Sequence, residues 1–399
     1  SNVAIGQSTM SSADGGEGMN VAIGYQTMNL VNNDNADHNV ALGYQALQSV
    51  QTASNVGVGN QALKSLTSGT QSVAIGFKAG GHISTGGYNT FIGYESGANG
   101  ESDDLTSNTA NKNVGIGYRS MGTAYGAASN HFTAEGNVAV GMESLQNLSS
   151  GTANVALGTY SGYDLTTGLQ NVLVGQSSGE NITDGDNNVL LGYRAGYTSN
   201  FNNSIAIGYR ALYNNTADGN IAIGYDSGFA LTNSQGNTAL GYQSGKALTG
   251  ENNTFIGYNS ALTASNTNNS TIIGYGAMDA AASGQHNNTM IGANAGGATS
   301  NVNADNNVFV GMNAGLGGSG ALKNSVVIGT EALDATGSND IEGAVAIGYH
   351  ALTALTSGAA NTAVGYKAGD AINTGGGNVA VGYSALTGTT DGHRNVAIG

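Results

Sequence analysis

The feature that most limits what this chain can fold into is a short unit, seen as Asn220-Ile221-Ala222-Ile223-Gly224-Tyr225, whose copies recur from Asn2 to Gly399. With the glycine of each copy as position zero, 23 copies fall in 399 residues, most often 17 apart. A unit of that size cannot bury a core alone, so it must be one coil of a stacked array. The sequence therefore predicts an all-β chain, a β-solenoid (parallel β-roll) of about 22–23 coils in a single repeat array spanning 1–399, with a rise of ~4.8 Å per coil. Both ends fall inside a repeat, as expected of a fragment of a longer chain.

Position minus three is Val, Ile or Thr in every copy, and minus one is Ile, Leu or Val, as in Val3 and Ile5 or Thr254 and Ile256. These positions share one strand face. β-Branched side chains pack well on a pleated surface, which favours strand over helix. The intervening position is apolar too, with Phe91, Leu173, Phe255, Met290 and Phe309 among its occupants. A strand hidden on both faces reads as a continuous apolar run. The sequence-level expectation is that minus three and minus one, for example Ile207 and Ile223, cover the chain's own core. The minus-two residues Phe91, Leu173, Phe255, Met290 and Phe309 then form the interface with other chains in a homotrimer or filament.

Position minus four is Asn in 18 copies, Asn20, Asn188 and Asn220 among them, as expected for amides bonded from coil to coil. The glycine never varies, as at Gly192, Gly208 and Gly224, so the backbone there has positive φ or is closely approached. Tyr follows it in 13 of the 22 copies that continue, a column expected to pack within the chain. Plus four alternates between Leu or Met and Gly, and plus seven is often Leu, Ile or Val before a polar turn. That spacing of three fits a helical turn, a bent corner or a second strand.

Two intervals, Gly93 to Gly117 and Gly117 to Gly141, are 24 residues long. They predict long loop insertions at 98–112 and 122–136, where Asp103, Asp104, Tyr125, His131 and Phe132 are the recognition candidates, because loops on a rigid scaffold usually carry binding residues.

The chemistry that is missing also limits function. A net charge of −15 with only 10 Lys plus Arg offers no basic stripe for nucleic acid. No run approaches the ~18 apolar residues of a membrane-spanning helix, so no membrane insertion is expected from this segment. No Cys is present and the six His are scattered singly. That leaves no thiolate site, no metal spacing and no catalytic cluster, and no cofactor or enzymatic activity is expected. The carboxylate pairs Asp103-Asp104 and Asp184 with Asp186 read as solvated loop charges, and Asp184-Gly185-Asp186 lacks the periodic calcium pattern.

The segments Asn361-Thr362-Ala363-Val364-Gly365-Tyr366-Lys367-Ala368-Gly369 and Asn39-Val40-Ala41-Leu42-Gly43-Tyr44-Gln45-Ala46-Leu47 resemble shaft repeats of phage tail fibres, of the kind found upstream of intramolecular chaperone domains. They are also similar to the head β-roll repeats of trimeric autotransporter adhesins, whose unit is shorter. The resemblance covers essentially the whole chain. It implies an extracellular homotrimeric shaft, on a virion or a bacterial surface, that presents a receptor-binding tip and meets a cell-surface glycan or receptor. A glycan- or ice-binding solenoid is the alternative, with a polysaccharide-cleaving tailspike behind it. An ice-binding face needs exposed Thr columns, and Thr at minus three is expected to be core.

Overall fold

The computed structural model describes residues 1–98, 108–122, 131–280, 283–298 and 301–399. Among them there is no helix. The repeats form a β-solenoid in which 23 three-residue strands lie in one parallel sheet. Two compact units are present, residues 1–203 and 204–399. In the first, eleven strands run from Val3–Ile5 to Val189–Leu191, and equivalent positions pair coil to coil, Val3 with Val21 and Ala4 with Ala22. In the second, twelve run from Ile205–Ile207 to Val396–Ile398 with the same register, Ile205 opposite Ile221. A two-residue pair, Leu322–Lys323 with Ile341–Glu342, adds a small second sheet there.

The strand faces are the reverse of the sequence expectation. Minus two points inward, and Phe91, Leu173, Phe255, Met290 and Phe309 are all fully buried within the single chain. Minus three and minus one point outward, and Ile207 and Ile223 are only half-buried. The interior has room for only one side chain per strand, because the chain turns at the glycine directly after the triplet. These five large residues are therefore core, and they cannot be the face that meets another chain.

The second half of each coil is a bent corner rather than a strand or helix. Residues at plus two and plus four take the left-handed conformation, as at Gln45 (φ 52°) and Leu47 (φ 48°). Local bonds such as Ala46 N–H to Gly43 O and Val50 N–H to Leu47 O close two successive turns. The remaining backbone groups reach the adjacent coil: Gln45 N–H donates to Tyr25 O at 3.0 Å and Leu47 N–H to Ala62 O at 2.9 Å. Left-handed backbone costs an L residue ~1–2 kcal/mol, which explains why Gly shares plus four with Leu and Met.

That alternation also fills the interior. Minus two and plus four share the interior, and each Phe, Leu or Met at minus two has Gly or Ala at plus four, although Ile272 stands with Met278. A Cβ on Gly97 would lie 2.3 Å from Phe91 Cδ1, and one on Gly315 2.8 Å from Phe309 Cδ2. Where minus two is Gly57, Leu47 and Leu63 supply the volume, and both are fully buried.

The zero-position glycine meets both conditions proposed for it. Its φ is 138° at Gly192, 132° at Gly208 and 136° at Gly224. A Cβ on Gly224 would stand 2.3 Å from the carbonyl oxygen of Gly241 in the next coil. No other residue fits.

The buried amides at minus four are bonded from coil to coil. Asn20 accepts from Asn39 N–H at 2.8 Å and donates through Nδ2 to Ala36 O at 2.7 Å. Asn188 N–H donates to Asn171 Oδ1 at 3.0 Å, and Asn220 Nδ2 to Ser234 O at 2.7 Å. A second ladder runs through the serines at plus three, where Ser144 Oγ donates to Ala156 O at 3.0 Å and Ser227 Oγ to Ala239 O at 2.8 Å. The sequence signal for it was that plus three holds only Ala, Ser or Thr.

Candidate functional site: the outward strand face and its flanking ladders

Because minus two fills the interior, each strand displays its other two side chains. None of the 23 main-sheet triplets contains a charged residue, and minus one is always Ile, Leu or Val. Leu42, Ile75, Leu240, Ile291 and Ile328 are exposed in the single chain. A solvated strand face would normally carry polar side chains. Contiguous apolar patches beyond a few hundred Å² mark interaction sites. Four consecutive coils place Thr238, Thr254, Thr271 and Thr289 at minus three on this outer face. Thr there is not core, which corrects the ground on which an ice-binding face was set aside.

The Tyr column borders this face. Tyr209, Tyr225, Tyr242, Tyr258 and Tyr275 stack nearly parallel, with ring centroids 4.9–5.5 Å apart. In the first unit, Phe77, Tyr94 and Tyr118 do the same at 5.1 and 5.3 Å. The rings cover one another's faces, so the column offers edges and hydroxyls rather than open stacking platforms.

Next to the tyrosines, plus two is a polar ladder. Gln45 Nε2 donates to Gln26 Oε1 at 2.8 Å, and Gln61 Nε2 to Gln45 Oε1 at 3.0 Å. Arg119 Nε lies 2.9 Å from the buried Glu95 carboxylate. Arg210 grips the buried Asp226 through two 2.8 Å bonds, with Lys246 Nζ at 3.4 Å from the same carboxylate. The bond to Asp226 raises the Arg210 pKa. These charges neutralise one another, so they are parts of the stack and not free catalytic groups. Burial pushes the carboxyls of Asp279 and Asp334 above their ordinary range.

The proposed recognition loops divide. Ala98 bridges Gly122 and Asn111 bridges Glu135, so the flanks of both long intervals keep the register of the stack. The extra residues fall within 99–107 and 123–130. Asp103, Asp104 and Tyr125 lie outside the described residues. His131 is exposed. Phe132 is not a contact group: it is 1% exposed, and its ring packs against Phe91 with centroids 6.5 Å apart. The apolar ring at that place fills the end of the interior, as Phe201, also 1% exposed, does in another coil.

Among the described residues no group of three or more His, Asp or Glu side chains could hold a metal ion. Asp186 accepts from Leu169 N–H at 2.7 Å, which makes it a turn ligand of the neighbouring coil. Compared with known proteins, the chain matches no protein-family model and no curated protein.

Proposed function

We propose that this array is a structural, non-enzymatic shaft that assembles as a parallel homotrimer and presents a receptor-binding tip, outside the cell on a virion or a bacterial surface. The observation that carries this reading is the outward strand face, apolar and free of charge in a chain of net charge −15. The eleven coils of the first unit offer on the order of 1,000 Å² there, comparable with the ~800 Å² per partner of a stable interface. The interface is therefore assigned to minus three and minus one, with the tyrosines at its margin. The resemblance to tail-fibre and adhesin repeats supports a three-chain assembly. Interlocked charges and the bonded amide ladder at minus four favour a rigid support over a catalyst. Sedimentation or light scattering on the purified chain tests the proposal, and a stable folded monomer at micromolar concentration would overturn it.

The outward Thr238, Thr254, Thr271 and Thr289 favour a second reading, an ice-binding face. Their partners at minus one are Leu240, Ile256, Ile273 and Ile291, so only one of the two rows carries hydroxyls. Thermal hysteresis of a monomeric preparation would support that reading and count against the shaft.

A further inference from the structure

In the first unit a groove of about 490 Å³ crosses three successive coils. Gln48 and Ser49 come from one, Lys64 and Ser65 from the next, and Thr85 from the third. Two other lining groups are committed to the stack: Thr67 Oγ1 donates to Ser84 O at 2.9 Å, and Ser84 Oγ to Asn108 O at 3.0 Å. The first five differ. Among the described residues, the Lys64 ammonium, the Gln48 amide and the hydroxyls of Ser49, Ser65 and Thr85 have no side-chain hydrogen-bond or ion-pair partner. Some side chains at comparable positions are instead tied to an adjacent coil. Asn147 Nδ2 donates to Asp164 at 3.0 Å, and Lys246 pairs with Asp226.

We propose that this groove binds a sugar residue bearing a single carboxylate, of the uronic or sialic acid type. Hydroxyls and a primary amide both donate and accept, so they match ring hydroxyls, which do the same, better than a phosphate, which only accepts. One ammonium matches one negative charge, and the net charge of −15 disfavours polyanions. The Lys64 methylenes and the Thr67 and Thr85 methyl groups provide apolar contact for a ring. The volume falls in the ~300–1,000 Å³ range of small-ligand sites. No strand triplet contributes to the lining, so the site does not depend on how the outer face is covered. It rests on the recognition part of the function proposed above and adds to the tip a contact on the regular coils.

The test is calorimetric or saturation-transfer NMR titration of the full 399-residue chain with glucuronic acid, N-acetylneuraminic acid and, as the neutral probe, glucose. At least one acidic sugar is expected to saturate, with glucose ten-fold or more weaker. Lys64→Gln should lower that affinity at least ten-fold, and Lys64→Arg should restore most of it. Ser65→Ala should weaken the acidic sugars and glucose alike, and Lys367→Gln, on a coil of the second unit, should change nothing. A circular dichroism melt checks that each variant folds. Equal binding of glucose and the acids, an unchanged Lys64→Gln, or no saturable binding of either acid would overturn the assignment. A monomer that binds the acid would sink the trimeric shaft alone, and a trimer that does not would sink only this site.

Discussion

Replacing Phe255 separates an inward minus-two column from an interfacial one. Phe255 is fully buried in the single chain. Gly245 of the preceding coil lies so close that a Cβ there would stand 2.9 Å from Phe255 Cδ2. Truncating a buried Phe to Ala costs ~3–5 kcal/mol. The upper part of that range applies, because glycine has no side chain to move into the cavity. In a stack, each coil depends on its neighbours, so the loss should open adjacent coils as well. The readout is denaturant unfolding followed by circular dichroism, with hydrogen exchange at Thr254–Ile256 and its flanking strands, since a long array need not unfold in one step. The double variant Phe255→Ala/Gly245→Leu refills the space from the facing position, where Leu47 and Leu212 already occupy the same left-handed geometry at φ 48° and 51°. It should recover more than 1 kcal/mol, a coupling expected of residues sharing a cavity. If Phe255→Ala leaves the folded chain within ~1 kcal/mol of the parent and instead releases monomers from an oligomer, the assignment of inside and outside is wrong.

Three further outcomes follow from the same geometry. Leu240→Lys combined with Ile291→Lys places charges on exposed outer positions, so it should leave the melting of the single chain within the ~0.5 kcal/mol typical of surface changes while shifting sedimentation from trimer to monomer. Gly224→Ala must hold a Cβ at φ 136° against the Gly241 carbonyl, and calorimetry should show a loss of at least ~2 kcal/mol. Asp279, whose carboxyl pKa is raised mainly by burial, takes up a proton more readily when folded. Its ionisation therefore removes stability as pH climbs from the ordinary carboxylate value through the raised one. Asp279→Asn should raise the melting temperature at pH 7, and the gain should vanish below about pH 4, where both states are protonated.

Much of the architecture is legible because a period of 17 with an invariant glycine admits few solutions. The coil count, the parallel register and the amide ladder at Asn20, Asn188 and Asn220 all follow from what stacks of identical units must do with buried backbone and side-chain polar groups. The bent second half was harder. A spacing of three between plus four and plus seven is shared by helices and turns, and only the left-handed backbone at Gln45 and Leu47 decides it. The groove at Lys64 left no sequence signal at all, because Gln48, Ser65 and Thr85 are ordinary surface residues until three coils bring them together.

The inside and outside of the strand were decidable from the sequence, though not from strand periodicity. A period of two separates the faces without saying which is core, and β-branching favours either. Volume does say. Residues that share a confined interior must compensate one another, and Phe91, Leu173, Phe255, Met290 and Phe309 at minus two are matched at plus four by Gly97, Gly179, Ala261, Gly296 and Gly315. Minus three and minus one show no such exchange: they stay aliphatic or Thr whatever stands at plus four. A face that varies in size against a facing position within the same coil is packed inside the chain. A face that stays Val, Ile, Leu or Thr through 23 coils, whatever stands at plus four, carries no such mark of packing inside the chain, and that is why the proposed interface is put there and not at minus two.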